Sequence, residues 1–226
     1  MALVGTNWND VLYGTPFDDL IYGLGGADLI FAYEGNDDIY GGTGNDIVYA
    51  GAGDDLIYGE DGNDQVFAGS GNDLAYGGFG DDLIDGEAGD DLLFGDAGND
   101  RIIGGFGSDF QSGGSGNDVI ESHAVAVSDF VIEKDDMTGG AGRDTFRLRT
   151  DYAGGAASIV PYYDASFAII RDFNRTEDRL DLKYDQNYVI RYGDFYGGRA
   201  LDTVLTWQNN TVAVVQDVQL SYANLS

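Results

Sequence analysis

An aspartate returns at every ninth residue from Asp10 to Asp118, passing through Asp19, Asp28, Asp37, Asp46, Asp55, Asp64, Asp73, Asp82, Asp91, Asp100 and Asp109. The thirteen units so defined cover residues 5–121 without an insertion or deletion. Units this short cannot each bury a core of their own, so they must stack on one another, and the period dictates a solenoid. The unit Gly41–Tyr49 reads GGTGNDIVY: a glycine-rich stretch, the aspartate, then a short apolar run. Position four is glycine in every unit from Gly26 to Gly116, which points to a turn whose backbone visits φ > 0. Position eight is aliphatic from Leu12 through Ile39, Val48 and Ile84 to Ile120, with Ala75 the smallest residue and Gln111 the one polar exception. One inward side chain in three residues predicts a three-residue strand after a six-residue turn. Two units, eighteen residues, then complete a coil with strands on opposite faces, and stacked coils make two parallel sheets.

The same register stacks charge. The chain carries a formal net charge of -29, and residues 5–121 hold 25 of the 40 Asp and Glu against a single basic residue, Arg101. Crowding like charges opposes a compact state, so the segment calls for a cation. Nucleic acid is excluded as a partner, because phosphate contacts need Lys and Arg patches. Cysteine is absent, which closes off thiolate metal sites and leaves hard oxygen ligands. No run of 18 apolar residues occurs and the N-terminus, MALVGTNWND, has no signal-peptide pattern, so neither a membrane span nor a cleavable leader is expected.

Calcium suits the spacing best. The eighteen-residue coil aligns Asp10, Asp28, Asp46, Asp64, Asp82, Asp100 and Asp118 in one column, and Asp19, Asp37, Asp55, Asp73, Asp91 and Asp109 in the other. Neighbours in a column stand one rung, about 4.8 Å, apart. Carboxylates that close repel unless a divalent ion lies between them, and the glycine-rich turns offer carbonyl oxygens toward the 6–8 oxygens that calcium takes. Six gaps in one column and five in the other give up to about 11 ions, whose charge of +22 nearly offsets the -24 of the repeat segment.

The edges of the array are less regular. Trp8 and Phe17 stand where later units have glycine, and both are read as caps over the first rung, with a binding aromatic as the other reading of Trp8. Position nine carries Tyr13, Tyr22, Phe31, Tyr40, Tyr49, Tyr58, Phe67, Tyr76 and Phe94. Two readings stand for this ladder: cross-rung stacking that supports the sheets, or a contact face for a glycan, a protein or a second copy. Residues 122–138 break the period as an insertion in which 124–127 and 130–132 look strand-like. His123, the one histidine, has no partner with which to form a catalytic group. The unit GGAGRDTFR restarts the pattern with Asp144, 26 residues after Asp118, which leaves its column open. From Leu148 glycine thins, arginines appear, and strand-like runs follow at 167–172, 179–183, 188–192, 203–207 and 211–215. The arginines read as solvated side chains or as partners for roll carboxylates.

Units such as GGTGNDIVY, GAGDDLIY and GGFGDDLID resemble the nonapeptide GGxGxDxUx of RTX proteins. The phrases TGGAGRDTFRLR, AIIRDFNRTEDRLDLK and DTVLTWQNNTVAVV are similar to the C-terminal parts of RTX modules in serralysin-type proteases and alginate epimerases. The resemblance implies an all-β fold, a right-handed parallel β-roll over residues 1–147, and a β-rich cap and secretion region over residues 148–226. It implies calcium held between units two apart by the thirteen aspartates and by turn carbonyls, here at Gly26, Gly35, Gly42, Gly44, Gly51, Gly53, Gly62, Gly69, Gly71, Gly78, Gly80, Gly89, Gly98, Gly107 and Gly116. The turns carrying Trp8 and Phe17, and so Asp10 and Asp19, are expected to bind weakly or not at all. Glu60, Glu87 and Asp96 replace glycine at position two, where a carbonyl ligand needs no glycine. The resemblance further implies an extracellular location reached through a type I secretion machinery. With no HExxH, GxSxG or cysteine in the chain, no enzyme is expected. The function so implied is a non-catalytic module that folds on calcium; the alternative is an adhesin-like carbohydrate- or protein-binding module using the aromatic ladder.

Overall fold

A computed structural model describes residues 1–123, 134–149, 167–174, 177–182, 189–193, 202–207 and 210–215. Every regular element among them is a strand, and the strands form two sheets facing each other in a parallel β-roll. One sheet takes alternate units, running from Ala2–Val4 and Leu20–Tyr22 through Asp38–Thr43, Leu56–Asp61, Leu74–Phe79, Leu92–Ala97 and Phe110–Ser115 to Lys134–Ala141 and Phe167–Ile170. The other takes the intervening units, from Val11–Tyr13 and Leu29–Glu34 through Ile47–Ala52, Gln65–Ser70, Leu83–Ala88, Arg101–Ile103 and Val119–His123 to Thr145–Arg149 and Arg179–Leu182. The pairing is parallel with an eighteen-residue register, as in Ile39↔Ile57 and Val48↔Val66.

Position eight fills the space between the sheets: Ile21, Ile30, Ile39, Val48, Ile57, Val66, Ala75, Ile84, Leu93 and Ile102 are wholly buried. Gln111 occupies the same column, also buried, and reaches across the core to donate from Nε2 to the Glu121 carbonyl at 2.9 Å. The rings at position nine stack rung on rung, Tyr40 on Tyr58 at 5.1 Å and Tyr58 on Tyr76 at 5.0 Å.

Two expectations change. The strands of most inner units are six residues long, not three, because pairing resumes past position one with Gly42↔Glu60 and Thr43↔Asp61. Rungs with the same conformation can continue a ladder even around a bend, so the turn shrinks to positions four to six. The bend lies at position two, where Leu24, Tyr33, Glu60, Glu87 and Asp96 join the glycines at positive φ, between 65° and 82°. Trp8 and Phe17, for their part, do not cover the first rung. Their rings are 80% and 74% exposed, and the core is closed instead by Leu12 and by Leu3, which pairs with Ile21. A side chain at position four points away from the core along with its turn, so it cannot reach over the end.

The period resumes at Lys134: Gln111 pairs with Met137 and Ile120 with Phe146, and the core column continues through both. The expected strand segments at 124–127 and 130–132 lie outside the described residues. At the far end Phe167–Ile170 pairs in parallel with Asn210–Val215, which continues antiparallel into Asp202–Trp207 and Val189–Gly193. Arginines tie these parts together: Arg147 pairs with Glu121 at 3.0 Å and with Asp181 at 3.4 Å, and Arg171 grips Asp136 through two nitrogens.

Candidate metal centre

The strand register carries each position-six aspartate to the same edge of the roll as the one eighteen residues later. Its backbone N–H donates to the Oδ1 of that neighbour: Asp28 to Asp46 at 2.7 Å, Asp46 to Asp64 at 2.7 Å and Asp64 to Asp82 at 2.8 Å in one column, Asp37 to Asp55 and Asp55 to Asp73 at 2.8 Å in the other. These aspartates, from Asp19 to Asp118, are at most 4% exposed. Oδ1 is thus satisfied, whereas Oδ2 of Asp28, Asp37, Asp46, Asp55, Asp64, Asp73, Asp82, Asp91, Asp100 and Asp118 is buried with no hydrogen-bond partner. A buried acceptor left that way costs about 1–3 kcal/mol, more when charged. Burial first, and the neighbouring carboxylates after it, push the carboxyls of Asp55 and Asp64 up to about 7 and those of Asp91 and Asp100 up to about 8. Ionising such a row at neutral pH calls for positive charge between its members.

The columns also run further than the nine-residue period shows. Asp118 donates to Oδ1 of Asp144 at 3.0 Å and Asp144 to Asp178 at 3.0 Å, which settles the column of Asp144; Asp109 donates to Asp135 at 3.2 Å. Asp135 and Asp178 escape the period because the spacing there lengthens. The local phrase survives, an aspartate two residues before a buried apolar residue, Met137 or Leu180.

A second ladder was not anticipated. The position-five N–H donates down to the side chain of the rung below, Asp54 to Asn36 at 3.1 Å, Asn72 to Asp54 at 2.8 Å and Asp90 to Asn72 at 2.9 Å. Here aspartate alternates with asparagine: Asp18, Asn36, Asp54, Asn72, Asp90. The rule is general. Apart from the thirteen position-six aspartates, twelve carboxylates occur in residues 5–121, and none stands one rung from another at the same repeat position. Stacked carboxylates are avoided everywhere except where they are invariant.

Backbone oxygens converge on the same gaps. A methyl added at Gly59 would lie 2.6 Å from Asp64 Oδ2 and 2.5 Å from the Gly77 carbonyl, so both oxygens face one small space. The carbonyls at position four, such as those of Gly44 and Gly62, accept no hydrogen bond from a neighbouring rung. All fifteen glycines expected as carbonyl ligands adopt positive φ, as do Gly105, Gly114, Gly140 and Gly142. At Gly44 this is obligatory: its φ is 127°, and a methyl there would overlap the Gly26 carbonyl. Among the described residues no three Asp, Glu, His or Cys side chains converge on one point. Each gap therefore offers two carboxylates completed by carbonyl oxygens, a donor set that fits a hard ion and not zinc.

The family model of the RTX calcium-binding nonapeptide repeat, in four copies, matches residues 4–39, 40–75 and 76–111. Residues 4–111 are RTX calcium-binding repeats. No curated protein matches the chain. Among solved structures it is similar to the AlgE6R3 subunit of the Azotobacter vinelandii mannuronan C5-epimerase, with 21% identity over 71% of this chain and 80% of that one and a TM-score of 0.40. RTX repeats bind calcium, and the oxygen-lined gaps of this roll have the chemistry for it. No helix among the described residues is long and apolar enough to cross a membrane.

Proposed function

We propose that this chain is an extracellular, non-catalytic calcium-binding module that folds as ions enter the gaps between successive turns of the roll. The observation that carries this reading is the position-six column: the one place where carboxylates stack on consecutive rungs is also where inner aspartates such as Asp28, Asp46, Asp64 and Asp82 leave a buried oxygen unpaired. Bound calcium supplies the positive charge that such a row lacks. The chain's own part is to orient the ligands. The hydrogen bond to Oδ1 fixes the carboxylate so that Oδ2 faces the next gap, the position-four glycine turns its carbonyl out of the ladder, and the buried position-eight column keeps the rungs in register.

Repulsion along two columns favours an expanded chain where calcium is scarce. Extracellular calcium modules bind at roughly 10⁻⁴–10⁻³ M, a range that separates a cytoplasm from its surroundings. Secretion through a type I machinery accords with RTX repeats as a class and with the extracellular assignment. A far-ultraviolet circular dichroism titration with calcium, starting from EDTA-treated protein, tests the reading. The β signal should rise with calcium and the hydrodynamic radius should fall; a full β signal and an unchanged radius in EDTA would refute calcium-coupled folding.

Binding of a glycan or protein by the aromatic ladder is the second reading. The rings lie parallel and about one rung apart, as with Tyr58 on Tyr76 at an interplanar angle of 4°. Their faces are spent on each other, which favours support of the sheets over a platform for sugar rings. Glycan binding that is lost in Tyr40→Ala and Tyr58→Ala while the roll stays folded would reverse that preference.

A further inference from the structure

The first unit in each column differs from the rest in chemistry as well as sequence. Thr6 and Thr15 occupy position two, and no later unit has threonine there. The Thr6 backbone N–H donates to Asp10 Oδ2 at 2.6 Å, and its hydroxyl lies 2.8 Å from the same oxygen. Thr15 repeats this on Asp19 Oδ2 at 2.6 and 2.9 Å. Each hydroxyl also lies near the carbonyl of its own position-four residue, Trp8 at 3.4 Å and Phe17 at 3.3 Å. Those two oxygens, Oδ2 and the position-four carbonyl, are the atoms that inner units leave unpaired. Trp8 and Phe17 lack the positive φ of every later position-four glycine, so the terminal turns do not present their carbonyls in the inner-turn geometry.

We propose that Thr6 and Thr15 stand in for the ion in the first gap of each column, so that calcium occupies the roll only from the Asp28–Asp46 and Asp37–Asp55 gaps onward. The proposal rests on the calcium reading given above and adds to it which turns stay free of metal. An N–H and a hydroxyl donate to the oxygen that a cation would otherwise neutralise. Oδ2 of Asp10 and Asp19 is then held by hydrogen bonds, with the Met1 ammonium 2.7 Å from Asp19 Oδ1, while Oδ1 of Asp28 and Asp37 still accepts the backbone N–H of Asp10 and Asp19, at 2.8 Å in both cases.

Counting calcium ions on the full chain by native mass spectrometry, with circular dichroism to confirm folding, tests this directly. Asp10→Asn and Asp19→Asn should leave the ion count of the wild type unchanged, whereas Asp46→Asn should lower it. Replacing Thr6 and Trp8 by glycine restores the inner pattern in the first unit and should add one ion, as should the same change at Thr15 and Phe17. The proposal is overturned if Asp10→Asn or Asp19→Asn loses an ion, or if the folded glycine variants gain none. A wild type that binds no calcium at all would defeat the functional reading itself, which is a separate outcome.

Discussion

Replacing Asp64 by asparagine should have opposite effects with and without calcium. The side chain serves two gaps: Oδ1 accepts the Asp46 N–H at 2.7 Å, while Oδ2 faces the next rung, whose Asp82 accepts the Asp64 N–H at 2.8 Å. A carboxamide keeps the shape and the Oδ1 acceptor but removes the charge from both gaps. At free calcium 100-fold above its dissociation constant each ion stabilises the folded state by about 2.7 kcal/mol, so losing two ions costs about 5 kcal/mol, comparable with the whole stability of a small domain. Without calcium the sign reverses. Burial, followed by the charges of Asp46, Asp82 and Asp61, raises the Asp64 carboxyl to about 7, so above that pH the neutral amide relieves a penalty. Urea midpoints at pH 8 in about 10 mM calcium, and the residual β signal read by circular dichroism in EDTA, separate the two effects. The variant should unfold earlier in calcium, and keep no less β signal than wild type in EDTA. Equal losses in both conditions would make Asp64 only a hydrogen-bonding residue and sink the account. Asp61→Asn, on the exposed position three, should stay within about 0.5 kcal/mol of wild type in either buffer.

The calcium-free roll should lose stability as pH rises from about 4 to about 8. Its buried carboxyls, from Asp37 and Asp46 at about 6 to Asp91 and Asp100 at about 8, hold protons that the unfolded chain releases near the ordinary value of 3.8. Calcium affinity should climb over the same interval as protons cease to compete, and a pH series of calcium titrations that stays flat would contradict this. Gly44→Ala should lower the unfolding free energy in calcium, read from urea denaturation, by about 1–3 kcal/mol or more, since φ is 127° there and the methyl meets the Gly26 carbonyl. Glu60→Gly, at φ 75°, should be neutral or gain up to about 1 kcal/mol. Tyr58→Ala loses stacking on both Tyr40 and Tyr76, about 0.5–1.5 kcal/mol each, whereas Tyr58→Phe should be nearly silent in the same denaturation assay.

The division between what could be read early and what could not follows particular residues. The Asp10–Asp118 register, the buried position-eight column and the glycines at position four are legible because a solenoid writes its structure in a period, and one correct unit gives them all. The expectation for Trp8 and Phe17 failed because it drew on residue type alone: a large ring at a chain end suggests a lid, but position four lies on the turn and faces solvent. Asp135 and Asp178 were missed because the period lengthens where they occur, and only strand pairing returns them to the columns.

From its sequence alone this protein is committed to a two-faced stack of nine-residue units, to an excess of negative charge along two edges, and to oxygen as the only ligand for whatever neutralises it. Those are consequences of spacing and composition, and they hold for any rung in the series. Which oxygen of each carboxylate is spent on the ladder and which is left over, how far the columns run past Asp118, and why Asp10 and Asp19 are already satisfied were decided in three dimensions. Each depends on a contact with a residue one coil away or on the backbone angle of a single turn, and neither of these is carried by the period.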